Sequence, residues 1–533
     1  MYAPPVNEML FILNDVLGFE HEDLDPETCE AVLDEAAKLA SGVLAPLNKT
    51  GDEQGAVLKD GQVKTADGFK DAYKAYCDGG WNAVPFDADY GGQGLPWALA
   101  FPIQEMWQGA NMSFGLCPLL NQGAVEAILS HGSEEQKEYY LPKLISGEWT
   151  GTMNLTEPQA GSDLGLLRAK AEPQGDGTYI ITGQKIFITY GDHDFTENII
   201  HLVLARTPDA PDDVKGISLF IVPKVLQDGT RNSVNCIGLE HKLGIHASPT
   251  CTMDFDGATG YLIGDENQGL KCMFTMMNNA RLSVGLQGVA IAEAAYQHAL
   301  GYAVDRVQGK SFKTGERVTI SEHADVRRML LDMQSRVVAG RLMAYAAAME
   351  LDKSVSGDAA AKGKVDFMTP IVKAWCTDMA VDVTSVGVQV HGGMGFVEET
   401  GAAQYYRDAR ILPIYEGTNG IQAADFVFRK VLFDKGAVAK EFIAELESVL
   451  PKEHVQPIDD ATNLILEAGQ AKDLDRVAWL SVPYLNAFSY ALGAYYLTKA
   501  VDKNPDFVFS NGITCADMAE FYNAAYMHTL KVS

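Results

Sequence analysis

One carboxylate stands where acid–base chemistry would want it. In "RDARILPIYEGTNGIQ", residues 407–422, Glu416 follows an apolar run and precedes a glycine and a helix start. The run "ILPIY" reads as a core or pocket wall, and Thr418 as the N-cap of a helix "NGIQAADFVFRKVLF". Apolar surroundings disfavour the charged form of a carboxylate and raise its pKa, which makes a glutamate an effective base near neutral pH. On local chemistry alone, the same residue fits at least as well a solvated loop acid that helps a helix dipole.

Two other stretches carry polar groups at useful spacing. "MNLTEPQAGSD", residues 153–163, offers the hydroxyls of Thr156 and Ser162, with Gly161 permitting close backbone approach. It lies at a helix-to-strand boundary, where clefts between domains form; a polar turn with a stabilising proline is the plainer reading. "QVHGGMGF", residues 389–396, has a glycine pair that lets a backbone approach a pyrophosphate. It follows a helical pattern and lacks GxGxxG spacing, so it is not a Rossmann fingerprint.

The elements that must position these residues fall into blocks. Up to about residue 150 the reading is helical: "PETCEAVLDEAAKLASGVLAPLN" with Pro26 at its first position, and "EEQKEYYLPKLISG" with Ser133 as N-cap. "GTYIITGQKIFIT", "NIIHLVLART" and "GISLFIVPK" then read as strands of a sandwich or barrel. The absence of strand–helix alternation argues against a doubly wound sheet. Long helical patterns return after Gly269, and a last helical segment is joined through a polar linker "PKEHVQPIDD".

Composition sets limits on partners. The 533 residues, 47% hydrophobic and 21% charged, suggest roughly three or four domains. A net charge of −29 repels nucleic acid and anionic membrane surfaces. The most apolar stretch, 282–304, is interrupted by Gln287, Glu293, Gln297 and His298, so it reads as a buried helix and not a membrane span. The opening lacks a basic n-region, from which a cytoplasmic address is expected. Eight scattered cysteines and the isolated His241 and His246 indicate no metal site.

"VPFDADYGGQGLP", "LTEPQAGSD", "GQKIFIT", "LLDMQSRVVAGRL", "VQVHGGMGF" and "RDARILPIYEGTNGIQ", in this order, resemble the signatures of the acyl-CoA dehydrogenase family over roughly residues 30–435. The resemblance implies an α+β multidomain fold: an N-terminal helical domain (1–154), a central β-barrel (155–270) and a C-terminal four-helix bundle (271–435), followed here by a helical extension (436–533). It implies FAD, an electron-transfer flavoprotein as electron acceptor, and a homo-oligomer, dimer or tetramer. In such enzymes the glutamate of the YEG motif, Glu416 here, removes the α-proton of an acyl-CoA thioester. The β-hydrogen leaves as hydride to flavin N5, giving a trans-2-enoyl-CoA. Some members carry the base on an earlier helix, just before an arginine matching Arg281; that position is Ala280 here.

The remaining roles are implied motif by motif. Leu155 and Thr156 contact the flavin ring. Phe187 and Thr189 fall in the family's WIT tripeptide, with Phe for Trp. Arg306 reaches FAD phosphate across a subunit interface, although the aromatic that usually follows is Gly309. Gln389 and Gly393 meet the ADP half of FAD, and Thr418 touches the cofactor. Ser162, Arg281 and Tyr415 lie on the substrate side, Arg281 also being readable as a structural helix arginine paired with an acid. The Glu416 backbone N–H and a ribityl hydroxyl form an oxyanion hole, where losing a donor typically costs about 3 to 4 kcal/mol.

A narrower resemblance rests on "APPVNEMLFILNDVLGFE", "GLEHKLGIHASPTCTM", "TMMNNARLSVGLQG" and the C-terminal segment. They are similar to the subgroup that handles 3-methylmercaptopropionyl-CoA in dimethylsulfoniopropionate breakdown, with 3-(methylthio)propanoyl-CoA as substrate. A general short- or medium-chain acyl-CoA dehydrogenase, or an acyl-CoA oxidase, would share every motif quoted. A DNA-binding protein on the same fold is disfavoured by the acidic balance.

Overall fold

Runs of β-branched residues punctuated by Gly, Pro and Asp build one sheet in the computed structural model, which describes residues 2–509 and 512–527. The chain divides into two compact units.

The unit made of residues 42–95 and 111–280 holds a seven-stranded sheet. Its strands are β1 Trp149–Asn154, β2 Lys170–Pro173, β3 Thr178–Thr189, β4 Asn198–Ala205, β5 Ser218–Pro223, β6 Val234–Leu239 and β7 Thr250–Ile263. Their order is β1-β4-β5-β7-β3-β2, with β6 added to β7. The β1–β4 pair is parallel and the rest antiparallel. A bridge from Lys170 to Arg206 brings β2 back to the end of β4, so the sheet curls on itself. Every residue of β4 is buried, as expected of a strand covered on both faces. Ile181, Leu202, Phe220, Val222 and Phe255 fill the interior, each contributing roughly 1.5–3 kcal/mol of burial. Ser133 caps the helix Glu134–Ser146 in a reciprocal capping box with Gln136. His246 does find an acid, Asp52, at 2.9 Å; the two lie 194 positions apart, beyond what the sequence reading could pair.

The other unit takes in residues 1–41, 96–110 and 281–533. Its frame is α1 Trp97–Ala110, α2 Gly269–Asp305 from residue 281 on, α3 Ala324–Val355 and α4 Ala359–His391. Gly285 and Gly288 let α2 lie close on α4: an added Cβ would stand 2.8 Å from the Val372 carbonyl oxygen and 2.4 Å from that of Cys376. Arg341 of α3, wholly buried, joins Glu105 of α1 at 2.6 Å and Glu293 of α2 at 2.8 Å. Such a group is fixed in place, because removing one partner strands a buried charge. Asp25 caps the helix Pro26–Leu39 with Pro26 at its first position, as the sequence predicts.

The C-terminal extension packs on this frame, and on α5 Asn419–Asp425 with its π-turn continuation, through α6 Leu474–Lys503 and α7 Cys515–Tyr522. Phe367 of α4 meets the rings of Phe426, Phe442 and Phe488 within 4.7–5.1 Å. The expected linker 451–460 is instead the start of a helix, Lys452–Gln470. Pro451 occupies its N-cap, and His454, Val455 and Ile458 form a narrow buried stripe. Among the described residues no helix is long and apolar enough to cross a membrane.

Candidate active site

The segment carrying Glu416 is a tight loop between Leu412 and the N-terminus of α5. Thr418 caps that helix, its hydroxyl accepting the Ile421 N–H at 3.3 Å, and Asn419 N–H bonds to the Pro413 carbonyl at 3.1 Å. Within the loop Glu416 has φ +53° and Gly417 φ +86°. The left-handed region suits Gly417, but for a glutamate it costs energy that surrounding contacts must hold in place. The Glu416 side chain is half-buried, yet burial dominates at its carboxyl and raises its pKa, with Arg281 and Lys373 pulling less strongly the other way. Among the described residues nothing accepts a hydrogen bond from the Glu416 backbone N–H, so that donor is available to a ligand.

Arg281 on α2 is buried and its Nε finds no acceptor among the described residues. Its ion partner is Asp425, at 4.0 Å; burial lowers its pKa, against the pull of Asp425 and Glu416. Tyr415 donates its hydroxyl to Gln287, which in turn donates to Gln108 at 3.1 Å.

At the far end of α4, Gly392 with φ +60° ends the helix and Gln389 is exposed. A Cβ on Gly393 would meet nothing, whereas one on Gly395 would strike the Val388 carbonyl at 2.2 Å. Gly395 is thus required by the turn itself, while the space at Gly393 is open. Arg306, just after α2, is exposed. Gly309, standing for the expected aromatic, has φ +79°, and a Cβ there would lie 2.9 Å from His323 Nε2. The His323 ring, bonded at 2.7 Å to the Gln308 carbonyl, accounts for the departure.

In the other unit the TEP turn is built around Glu157, buried and absent from the sequence reading of the site. Its carboxylate accepts Arg168 N–H at 2.7 Å, Ala169 N–H at 3.0 Å and Lys185 Nζ at 2.8 Å. Burial pushes this carboxyl up, but Lys185 and the two backbone donors reverse the effect and hold it below its ordinary value. Burial lowers Lys185 to about 8. Lys185 also reaches the Leu155 carbonyl at 3.1 Å, and Ile186 N–H bonds to the Thr156 carbonyl at 2.9 Å. Leu155 and Thr156 are thereby fixed beside Phe187, at a break in the β3–β7 register. Phe187 has φ +59° and is 58% exposed. Thr189 is half-buried at the end of β3, while Ser162 is exposed beyond the turn.

One more buried carboxyl escaped the sequence reading. Glu126, on the helix Met112–His131, accepts Asn279 Nδ2 at 2.7 Å and Gln122 Nε2 at 3.3 Å. Burial raises it to about 8 despite those two donors. A lone glutamate in an apolar helix gave no signal of this.

Sequence models of the N-terminal, middle and C-terminal domains of acyl-CoA dehydrogenase match residues 26–148, 152–258 and 267–430. The chain belongs to the acyl-CoA dehydrogenase family. This acyl-CoA dehydrogenase is 50% identical to the 3-methylmercaptopropionyl-CoA dehydrogenase of Ruegeria pomeroyi over 472 residues, 85% of its own length and 80% of the relative's. It is 42% identical to a butyryl-CoA dehydrogenase of Syntrophomonas wolfei over 445 residues, 79% and 73% of the two chains. A Bacillus anthracis acyl-CoA dehydrogenase solved with FAD superposes with a TM-score of 0.75 at 22% identity, over 98% of this chain and 91% of that one. The fold likeness therefore includes the C-terminal extension.

Acyl-CoA dehydrogenases depend on FAD, and the residues present fit it. Phe187 combines a strained backbone with an exposed ring, two costs that a planar ligand laid against it would offset. The Glu416 N–H, which has no acceptor among the described residues, and the open space at Gly393 are further places where this chain leaves room for a ligand.

Proposed function

We propose that this acyl-CoA dehydrogenase oxidises 3-(methylthio)propanoyl-CoA to 3-(methylthio)acryloyl-CoA, with Glu416 as the base that takes the α-proton. The observation carrying the base is its setting: a half-buried carboxyl with a raised pKa, presented by a strained loop whose own Glu416 N–H has no acceptor among the described residues. A raised pKa brings the carboxylate closer to the basicity that proton abstraction at neutral pH needs. The N–H of Glu416 would hold the thioester carbonyl oxygen as negative charge develops there. FAD, when bound, supplies the two-electron acceptor for the β-hydride.

Leu155, Thr156, Phe187 and Thr189 would hold the isoalloxazine ring, with Thr418 a further contact. Arg306, Gln389 and Gly393 would hold the phosphate and ADP portion. Ser162, Arg281 and Tyr415 would face the acyl-CoA. The substrate assignment is supported by 50% identity to the methylmercaptopropionyl enzyme. A short unbranched acyl-CoA is the second reading, favoured by the butyryl-CoA relative.

We further infer a homo-oligomer working in the cytoplasm and passing electrons to an electron-transfer flavoprotein. Tyr302 stacks on His391 at 4.5 Å, which brings the ends of α2 and α4 together. Beyond them Val307 and Phe312, after α2, and Met394 and Phe396, after α4, are exposed apolar side chains that a second copy would cover. All eight cysteines are unpaired, as in a reducing compartment.

Anaerobic mixing with 3-(methylthio)propanoyl-CoA and with butanoyl-CoA, followed by flavin absorbance, tests the substrate. Faster bleaching by the sulfur thioester is expected. Bleaching by neither would overturn the substrate class, and rapid reoxidation in air would make the enzyme an oxidase.

A further inference from the structure

Lys373 lies in the middle of α4, fully buried, in an apolar helix where no acid precedes it within a turn. A lysine is almost never placed so without a specific partner set. Its Nζ donates to the Leu412 carbonyl at 3.0 Å, the Gly417 carbonyl at 2.8 Å and Asn419 Oδ1 at 2.9 Å. Three acceptors require three hydrogens, so the geometry is that of the ammonium form.

Leu412 and Gly417 bracket Glu416. We propose that Lys373 is a positioning residue for the α-proton transfer, its ammonium group closing the 412–417 loop and holding Glu416 in its left-handed pose toward the substrate. This rests on the reading of Glu416 as the base.

Asn419 completes the clasp. Its side-chain Nδ2 lies within hydrogen-bond distance of the Ala374 carbonyl at 3.0 Å, Thr377 Oγ1 at 2.9 Å and Asp378 Oδ1 at 2.8 Å, and its two hydrogens serve two of these three at a time. The first residue of α5 is thus fastened to α4, with Lys373 as the shared anchor. By comparison, the bonds from Gln422 Nε2 to the Glu416 and Gly417 carbonyls are long, at 3.4 Å each. A residue at φ +53° relaxes unless its neighbours are held, and Lys373 holds the Gly417 carbonyl more closely than Gln422 does.

The ammonium also acts by charge. The charged groups facing it are Glu416 from the loop, Asp378 from its own helix and Arg281 from α2. Burial lowers Lys373 to about 7, against the pull of the two carboxylates. Glu416 in turn faces two cations, Arg281 and Lys373. Removing Lys373 leaves one, so the carboxylate holds its proton to higher pH.

The test compares wild type, Lys373→Met and Glu416→Gln as FAD-loaded proteins, by anaerobic flavin reduction across pH and by hydrogen exchange of the 411–419 amides without substrate. For Lys373→Met, kcat is expected to fall about 10–100-fold, the scale of a misplaced catalytic group. KM should change less than about threefold, the acid limb of the kcat–pH profile should move to higher pH, and the loop amides should exchange faster. A merely structural lysine would lower the melting temperature without moving the acid limb. If Lys373→Met does not fold, Asn419→Ala decides, because it removes one acceptor and keeps the charge: kcat should fall severalfold with the acid limb unmoved, and an unchanged kcat overturns the proposal. Wild-type kcat and an unmoved limb in Lys373→Met, with Glu416→Gln inactive, overturn the positioning role alone. Wild-type reduction by Glu416→Gln removes the base assignment on which it rests.

Discussion

Lys185 Nζ lies 2.8 Å from Glu157 Oε1 with both side chains buried, and the pair ties the TEP turn to strand β3. Breaking a buried pair from one side strands a charge and costs roughly 3–5 kcal/mol. Lys185→Met is therefore expected to lower the melting temperature and to leave less FAD per protein after purification. The double variant Lys185→Met with Glu157→Gln should recover part of both losses, because no buried charge is then left alone. Equal FAD retention in wild type and Lys185→Met, read from absorbance, would show that the pair does not position the flavin contacts.

Phe187 carries two costs that a ligand would offset. Phe187→Gly removes the left-handed strain, so the apoprotein should melt no lower than wild type. FAD should bind about 3–10-fold more weakly, in line with the roughly 0.5–1.5 kcal/mol an aromatic contact adds beyond burial. Thermal melting of the apoprotein checks the first and titration with FAD the second, and an unchanged Kd would remove Phe187 from the cofactor site.

Glu126 gives a pH signature. Its carboxyl binds a proton more tightly folded than unfolded, with a folded value of about 8. Folding is thus favoured while the group is protonated, and that contribution is lost as pH rises from the ordinary carboxylate range through about 8. Glu126→Gln mimics the neutral form at every pH. Its melting temperature should match wild type near pH 4 and exceed it increasingly toward pH 9; a constant difference would contradict a buried neutral acid.

Gly417 offers a steric control on the loop. Gly417→Ala places a Cβ at φ +86° and 2.8 Å from Gln422 Nε2, so flavin reduction should slow by at least about tenfold as the adjacent Glu416, the proposed base, shifts. Retained FAD absorbance separates this from unfolding.

The legible parts of the sequence were contiguous. The run "ILPIYEGTNG" showed a carboxylate between apolar residues and a helix cap, and the Thr418 cap is present as read. Strands β3, β4 and β5 were plain from uninterrupted β-branched runs. β7 was not, because Asp254, Asp256 and Gly257 break its apolar pattern. The helix Lys452–Gln470 was hidden by its polar face, since its buried stripe in the first turns is three residues. Lys185, Glu157, Glu126 and Lys373 stayed silent for another reason: each acquires its role from a partner tens to more than a hundred positions away, and nothing local marks the pairing.

The central claim is that Glu416 removes the α-proton. Stopped-flow, anaerobic mixing of Glu416→Gln with 3-(methylthio)propanoyl-CoA tests it most directly, since the substitution keeps size and hydrogen bonding and removes basicity. A positioned general base contributes typically about 10²- to 10⁴-fold, so flavin bleaching should slow by about that factor while FAD remains bound. Bleaching at the wild-type rate would contradict the account.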